Sequence, residues 1–283
     1  MILVAALAAG LLAYGTARAL LPPALFLLTQ GGLVRRNYRG DELATGAGIV
    51  IPLASLAPWG LFLLIPSGGE GESRFSAPTA LWIALLFGMA LLGLLDDALG
   101  NRETRGLKGH LRALLSGRPT TGSFKALFGG ALGLVGGLWL HGPTLAGLVG
   151  GLLIALFANA MNLLDVRPGR ALKGALVSFI LGTGAAWQHP GAWAGSSIVH
   201  AAAPIGAACA LWRPDHKGTL MLGDTGANVL GAAAGIVWAS APFSWQVLVV
   251  ALLLLMHLYA ERRSLSALIE SVPLLSRLDR WGR

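Results

Sequence analysis

The sequence predicts an all-α membrane protein with about nine transmembrane helices, within a range of nine to ten. Of the 283 residues, 55% are hydrophobic and 12% are charged, whereas a soluble domain carries roughly a quarter charged residues. Long apolar runs recur along the whole chain, and they can cross a hydrocarbon core about 30 Å thick as helices. The basic residues are concentrated in alternate connections between these runs. Together these observations exclude an ordinary soluble domain.

Nine apolar runs are predicted to be the spans. The first lacks a positively charged start and a small-residue cleavage site, and it continues past Pro22 and Pro23. We therefore interpret it as a retained, proline-kinked helix and not as a cleaved signal peptide. Residues 1–260 would then form one multi-pass domain, followed by a basic tail at 261–283. The predicted spans are residues 2–28, 46–66, 77–95, 126–141, 144–164, 171–187, 193–211, 219–239 and 243–260.

The distribution of charge predicts the orientation of the chain. The connections after the first, third, fifth and seventh spans, together with the tail, hold 19 of the 21 lysines and arginines. The opposite connections hold only Arg74, and Arg18 lies inside the first span. Cytoplasmic loops carry such an excess, so the N-terminus is predicted to lie outside and the tail in the cytoplasm. The formal net charge of +8 is therefore assigned to membrane topology and not to nucleic-acid binding.

Two cytoplasmic segments are predicted to lie along the membrane surface as basic amphipathic helices. In residues 107–115 the leucines share one helical face, with two cations nearby. In the tail, apolar residues repeat over 265–272 and 274–281, on either side of Pro273. We expect both segments to be structural.

Asn159, Asn162 and Asp165 form a polar stripe at the end of the fifth predicted span. They are spaced at i, i+3 and i+6, and on a helix they fall within an arc of about 120°. The apolar run that they close, from Thr144, holds no charged residue before Asp165. Polar groups there are costly to bury unless they face a partner, an ion or water. Capping of the helix end is the alternative interpretation.

Four carboxylates fall at the cytoplasmic ends of predicted spans. Asp96 and Asp97 end the third span, Asp165 ends the fifth, and Asp224 begins the eighth. At one membrane depth they would repel one another and be expensive to desolvate. Hard carboxylate oxygens without a Cys or His pattern suit Mg²⁺, which usually also binds substrate phosphates. The sequence therefore predicts a Mg²⁺ site, with Asp224, Asp96 and Asp97 as candidate ligands.

The surroundings of these carboxylates favour a phosphate ligand. Residues 223–228 begin a helix with small residues, so a substrate could approach the backbone N–H groups at the positive end of the helix dipole. The loop after the fifth span adds Arg167, Arg170 and Lys173. Lys125 lies where the fourth span begins. For any one of these cations, the positive-inside bias by itself is an alternative explanation.

Four motifs along the chain resemble those of the polyprenyl-phosphate N-acetylhexosamine-1-phosphate transferases (glycosyltransferase family 4). This family includes the phospho-N-acetylmuramoyl-pentapeptide transferase of peptidoglycan synthesis. The segment Leu43–Gly48 is a degraded match to the family's early Pro-Thr-x-Gly-Gly loop. The resemblance runs from about residue 35 to 240, on the predicted cytoplasmic face. The four motifs are Gly93-Leu94-Leu95-Asp96-Asp97, Phe124-Lys125, Asn159-x-x-Asn162-Leu163-x-Asp165 and Leu222-Gly223-Asp224-Thr225-Gly226.

The resemblance implies a Mg²⁺-dependent enzyme of cell-wall biogenesis in the cytoplasmic membrane of a bacterium. Its acceptor would be a polyprenyl phosphate and its donor a UDP-linked amino sugar, and the products would be a polyprenyl-diphosphate-sugar and UMP. A homodimer is left open. Asp224, with Asp96 or Asp97, would hold the metal, and the other member of the Asp pair would accept a proton. The residues implied to be catalytic are Asp96, Asp97, Asp165 and Asp224, and those implied to bind substrate are Asn159, Asn162, Lys125, Arg167, Arg170 and Lys173.

The chain departs from the family pattern at two places. The family continues from Asp165 with Gly-x-Asp-Gly, but here proline at 168 replaces the second aspartate, and no histidine-rich loop follows His257. We therefore expect a simple UDP-N-acetylhexosamine donor and not the pentapeptide donor, held mainly through its diphosphate by Arg167 and Arg170. Two alternatives stay open: a catalytically weakened relative that acts as a regulatory or scaffold protein, and an ion-coupled transporter.

Overall fold

A computed structural model describes residues 2–37, 39–64, 76–100, 116–118, 120–188 and 194–281 of the chain, with Gly109 and Ala113 in addition. Eleven α-helices and one short hairpin make up this part. The helices are α1 (Ile2–Gln30), α2 (Val50–Leu63), α3 (Ser76–Leu99), α4 (Thr121–His141), α5 (Leu145–Leu164), α6 (Arg170–Trp187), α7 (Ala194–His216), α8 (Gly223–Ala239), α9 (Phe243–Arg262), α10 (Leu265–Ser271) and α11 (Pro273–Arg280). The hairpin pairs β1 (Val34–Arg36) with β2 (Glu42–Ala44), and a 3₁₀ turn at Ala47–Ile49 leads into α2.

Each of the nine predicted spans corresponds to one of the helices α1–α9, and the all-α prediction is confirmed. Among the described residues, six of these helices are long and apolar enough to cross a membrane, namely α1, α3, α4, α5, α7 and α9. Helices α2, α6 and α8 do not meet the same measure. The count of nine to ten crossings and the orientation of the chain therefore stay predictions.

The two amphipathic segments predicted from the sequence have different outcomes. The tail forms two helices, α10 and α11, separated by Val272. The segment 107–115 lies outside the described residues, apart from Gly109 and Ala113. Residues 67–76, the connection between the second and third predicted spans, are expected to be external because they lie on the side opposite to the basic connections. They also lie outside the described residues, except for the residue that begins α3.

Helix α8 is the centre of the bundle. Every residue in it is buried except Asp224, and α3, α5, α6 and α7 pack around it. Its sequence is rich in glycine and alanine, and small residues let helix backbones approach closely in membrane proteins. Gly231 and Gly235 lie directly against the backbone of α5, at Phe157–Ala158 and at Ile154. The small residues of α8 therefore allow the neighbouring helices to pack closely around it.

The carboxyl ends of α3 and α5 meet the amino ends of α4 and α8 at one end of the bundle. Lys125 at the start of α4 contacts carboxylates of both α3 and α8. Asn162 near the end of α5 donates a hydrogen bond to Asp224 of α8. The structure thus brings together the helix ends that the charge pattern assigns to the cytoplasm.

The β1–β2 hairpin lies between α1 and α2, and no sequence pattern predicted it. Asn37 shapes its turn, because Asn37 Oδ1 accepts from the backbone N–H groups of Arg39 (2.8 Å) and Asp41 (3.0 Å). At the other end, the Met221 N–H donates to the Ala44 carbonyl oxygen (2.9 Å). The hairpin is therefore joined to the segment that leads into α8.

Gly231→Ala is expected to destabilise the protein, even though alanine favours a helix over glycine by about 1 kcal/mol. A Cβ at position 231 would clash with the backbone at Phe157 and Ala158, and overpacking costs about 1–3 kcal/mol. The measurement is the melting temperature of the purified protein in detergent. Gly130→Ala in α4 is the matched control, because a Cβ there meets no described atom within 4 Å. Equal losses in the two variants would contradict the packing role of Gly231.

Candidate active site

Two carboxylates bind the amino end of α8. The first N–H groups of a helix have no partner within the helix, so a buried helix start needs acceptors from elsewhere. Asp97, in the last turn of α3, accepts from the Asp224 N–H at Oδ1 (3.1 Å) and from the N–H (2.9 Å) and hydroxyl (2.6 Å) of Thr225 at Oδ2. Asp165, which follows α5, accepts from the Gly223 N–H. Three consecutive amides of α8 are thus bound by side chains that follow or end two other helices.

This arrangement corrects the expectation that the amino end of α8 receives a substrate phosphate. Its first three amides already have carboxylate partners. The small residues nearby serve close backbone packing, because Gly93 of α3 lies against the backbone of Asp224 and Gly48 lies against Gly226. The Gly48 N–H also donates to the Leu222 carbonyl oxygen (2.9 Å). The glycines therefore position α8 against its neighbours and do not leave room for a ligand.

The remaining carboxylates form a charged group with Lys125. Lys125 Nζ lies 3.0 Å from Asp96 Oδ2 and also contacts Asp224 Oδ2. Asn162 Nδ2 donates to the same Asp224 oxygen (3.0 Å). We call Asp96, Lys125, Asn162 and Asp224 the Lys125 cluster. Its three charged side chains are between 19% and 29% exposed, so a ligand can reach the cluster.

Arg35 of β1 fixes the end of α3, and sequence reasoning missed this role. Its Nη2 donates to the carbonyl oxygens of Asp96 (3.1 Å), Asp97 (2.9 Å) and Gly100 (3.1 Å). A cation at the carboxyl end of a helix satisfies unpaired carbonyl groups and interacts favourably with the helix dipole. The sequence placed Arg35 only among the basic loop residues, because its target lies 61 or more residues away.

An open cleft adjoins Asp165. Its walls come from the hairpin turn, the loop after α5 and the segment between α7 and α8. Arg167 and Pro168 of the loop after α5 line it, and the predicted role of Arg167 in binding a diphosphate stays a prediction. Asn37 and Asp215 also line it and were not predicted. The signal for Asp215 was present, since it is a carboxylate in the short connection after the seventh predicted span, 193–211.

Two of the cations predicted to hold phosphate are bound instead to the tail, which corrects their assignment. The Arg170 side chain is 4% exposed, and its Nε and Nη2 donate to the two oxygens of Asp279 (2.7 and 2.9 Å). Lys173 Nζ donates to the carbonyl oxygens of Leu278 (3.1 Å) and Asp279 (2.7 Å). Asp279 follows Arg170 by 109 residues in the sequence, so spacing could not reveal this pair. Of the three loop cations, Arg167 is the one that lines the cleft.

Asn159, one turn before Asn162, is exposed on α5. Within the described residues no hydrogen bond joins it to the Lys125 cluster, so its role in orienting a nucleotide-sugar stays a prediction.

Asp97 has hydrogen-bond donors on both oxygens, and this capping role makes Asp96 the better candidate of the pair for a metal.

The donor set of the Lys125 cluster fits Mg²⁺. Asp96 and Asp224 are brought together on one lysine, and Asn162 Oδ1 is a buried oxygen with no hydrogen-bond partner among the described residues. Mg²⁺ usually takes one or two carboxylates and completes its shell with waters and substrate phosphates. The described part of the chain has no group of three or more Asp, Glu, His or Cys side chains arranged as a metal cage, and such a site does not need one.

Asp165 lies in an electrostatic environment unlike that of an exposed carboxylate. Burial raises the pKa of its carboxyl well above the usual range, and the negative charges of Asp215, Asp224 and Asp97 raise the pKa further. The hydrogen bond from the Gly223 N–H opposes this shift and does not outweigh it. In the absence of a cation, Asp165 therefore holds its proton to a higher pH than an ordinary aspartate.

Asp165→Asn is expected to flatten the dependence of stability on pH in Mg²⁺-free buffer. In the native sequence the unfolded carboxyl ionises above about pH 4 while the folded one stays protonated, so the free energy of unfolding falls as pH rises through this window. The asparagine cannot ionise and can still accept from the Gly223 N–H. Melting temperatures of both proteins across pH 4 to 8 test this. A difference between the two that does not change with pH would contradict the assignment.

A family comparison supports the interpretation of this site. Residues 79–241 match the model of Glycosyl transferase family 4, more than half of the chain, and the match contains all of the Lys125 cluster together with Asp97 and Asp165. A search of curated proteins found no match. The resemblance predicted from the motifs is thereby confirmed. The chain belongs to glycosyltransferase family 4.

Proposed function

We propose that this protein transfers N-acetylhexosamine-1-phosphate from a UDP-sugar to a polyprenyl phosphate, with Mg²⁺. The observation that carries the proposal is the Lys125 cluster, in which four helices bring two carboxylates, a lysine and an amide to one partly exposed point. The cluster lies at the end of helices that are apolar enough to cross a membrane. This position suits a reaction between a lipid-borne phosphate and a water-soluble nucleotide-sugar.

The reaction is a phosphoryl transfer. An oxygen of the lipid phosphate attacks the phosphorus next to the sugar, a new P–O bond forms, and the bond to the oxygen that joins the two phosphates breaks. UMP leaves with that oxygen. The second pKa of a phosphate monoester is about 6, so the acceptor is largely dianionic at neutral pH and needs little help from a base. Catalysis then depends mainly on positioning and on neutralising charge.

The residues of the Lys125 cluster divide these tasks. Asp224 and Asp96 would hold Mg²⁺, which supplies positive charge to the diphosphate when bound. Lys125, now paired with both carboxylates, would turn its ammonium group to the phosphates as they arrive. Asn162 holds Asp224 in place through its Nδ2, and its buried Oδ1 has no hydrogen-bond partner within the described part of the chain.

The cleft beside Asp165 is the proposed place for the nucleotide. It is open and is lined by Arg167 and by the polar side chains of Asn37 and Asp215. A guanidinium can bind a diphosphate through two parallel hydrogen bonds. With proline at 168, the donor would be held through its diphosphate at Arg167 more than through a carboxylate at that position.

The experiment that tests the function is a donor panel with purified protein, polyprenyl phosphate and Mg²⁺. We expect UMP release and a lipid-diphosphate-sugar with a simple UDP-N-acetylhexosamine, and neither product when the acceptor is left out or EDTA is added. A protein that folds and stays inert with every donor would support the scaffold alternative instead.

Two asparagine variants distinguish the metal site from the helix cap. Asp224→Asn should abolish transfer and leave the melting temperature nearly unchanged, because a carboxamide keeps the shape and loses the charge that Mg²⁺ needs. Asp97→Asn should lower stability by about 0.5–2 kcal/mol, the usual cost of losing a helix cap, since its NH₂ group would oppose an N–H of α8. Normal activity in Asp224→Asn would refute the metal assignment.

We further propose that the protein crosses the cytoplasmic membrane of a bacterium nine times, with its N-terminus outside and the Lys125 cluster inside. The support is the concentration of basic residues in alternate connections. In a background without Cys209, a cysteine at Arg118 should be shielded from an impermeant reagent in intact cells, and one at Pro143 should be labelled. Both positions are exposed in the structure. The reverse labelling pattern would overturn the orientation.

A further inference from the structure

A buried ion pair joins the tail to the body of the protein. Arg170 and Asp279 form two parallel hydrogen bonds (2.7 and 2.9 Å), and their side chains are only 4% and 7% exposed. Most of α11 is otherwise exposed, including Leu274 and Leu278. Arg170 Nη1 also donates to Ser266 of α10 (2.6 Å). Both tail helices therefore converge on a single guanidinium.

Electrostatics explains why this guanidinium needs the tail. Arg170 and Lys173 lie in the first turn of α6, and cations are disfavoured at the amino end of a helix, where the dipole is positive. The Asp279 carboxylate offsets the charge of Arg170. Lys173 Nζ binds the carbonyl oxygens of Leu278 and Asp279 at the carboxyl end of α11, which is the negative end of that helix. The carboxyl end of α11 thus complements the amino end of α6.

The same turn of α6 borders the cleft. Gly169, the residue before Arg170, has a positive φ of 80°, and its N–H donates to Asp215 Oδ2 (2.6 Å). The Arg170 N–H donates to the Arg167 carbonyl oxygen (3.3 Å). Arg167, Pro168 and Asp215 all line the cleft. The loop that forms one wall of the cleft is therefore connected to the ion pair with the tail through Gly169 and Arg170.

We propose that Asp279 is a positioning residue for the cleft. By binding Arg170 it holds the first turn of α6, and this turn sets the loop 166–169 against Asp215 so that Arg167 faces the ligand. The tail thereby acts on the affinity of the cleft for a nucleotide diphosphate without touching it. The identity of that ligand rests on the proposed function. The docking of the tail rests only on the contacts of Arg170 and Lys173 with the tail.

The test compares Asp279→Asn with the unchanged protein in lipid nanodiscs. Two measurements are made, amide hydrogen exchange over residues 166–173 and the donor KM and kcat. We expect faster exchange in this segment and a KM raised about fivefold or more, with kcat within about twofold. Glu270→Gln is the matched control, because Glu270 is 61% exposed and lies 3.9 Å from Arg170. It should leave both measurements unchanged.

Exchanging the two charges of the ion pair tests whether the pair itself, and not either residue alone, holds the loop. The double variant Arg170→Asp with Asp279→Arg keeps the ion pair in the opposite order and should restore slow exchange and a low KM. If Asp279→Asn cannot be recovered from membranes, Asp279→Glu and the double variant carry the same comparison, with Glu expected to retain most of the protection.

Two results would overturn the proposal. Unchanged exchange and unchanged KM in Asp279→Asn would do so, and so would a lower KM, which would mean that a released Arg170 binds the donor directly. If the unchanged protein transfers no sugar from any donor, the proposed function fails by itself. The exchange measurement then still decides whether Asp279 holds the loop.

Discussion

The structure depends on the need to satisfy the amino end of a buried helix. Helix α8 is enclosed by its neighbours except at Asp224, and the N–H groups of its first turn have no partners within the helix. An unpaired N–H costs free energy when it is buried. Asp97 and Asp165 meet this need from two sides, so the positions of the residues that end α3 and follow α5 are set by the start of α8.

This constraint divides the acids of the site into two groups. Asp97 and Asp165 bind backbone amides, whereas Asp96 and Asp224 face Lys125 at a partly exposed point. Adjacent residues in the sequence, Asp96 and Asp97, therefore have different roles. Lys125 offsets the repulsion between two carboxylates, which is how a site for a cation or a phosphate can remain folded before its ligand arrives. Arg35 supports the arrangement from outside by binding the carbonyl groups at the end of α3.

The tail binds the first turn of α6, which follows the loop that lines the cleft. Its two helices carry exposed leucines and yet bury one carboxylate against Arg170. Burying an ion pair gains little by itself, whereas leaving one of its charges unpaired is costly. Removing either charge of this pair is therefore expected to weaken the contact between the tail and the first turn of α6. The loop before that turn contributes Arg167 to the cleft, so the position of the tail bears on how the protein binds its ligand.

The sequence by itself determined the helical membrane class, the approximate limits of nine helices and the family, because hydropathy and short motifs are local properties of the chain. It also determined that the acids and Lys125 lie at corresponding helix ends. The tertiary structure alone decided which partner each acid contacts. Whether Asp97 caps a helix, or Arg170 binds Asp279 and not a phosphate, depends on contacts between residues more than 100 positions apart. Spacing along a chain carries no information about such contacts, since they follow from how the helices pack around α8.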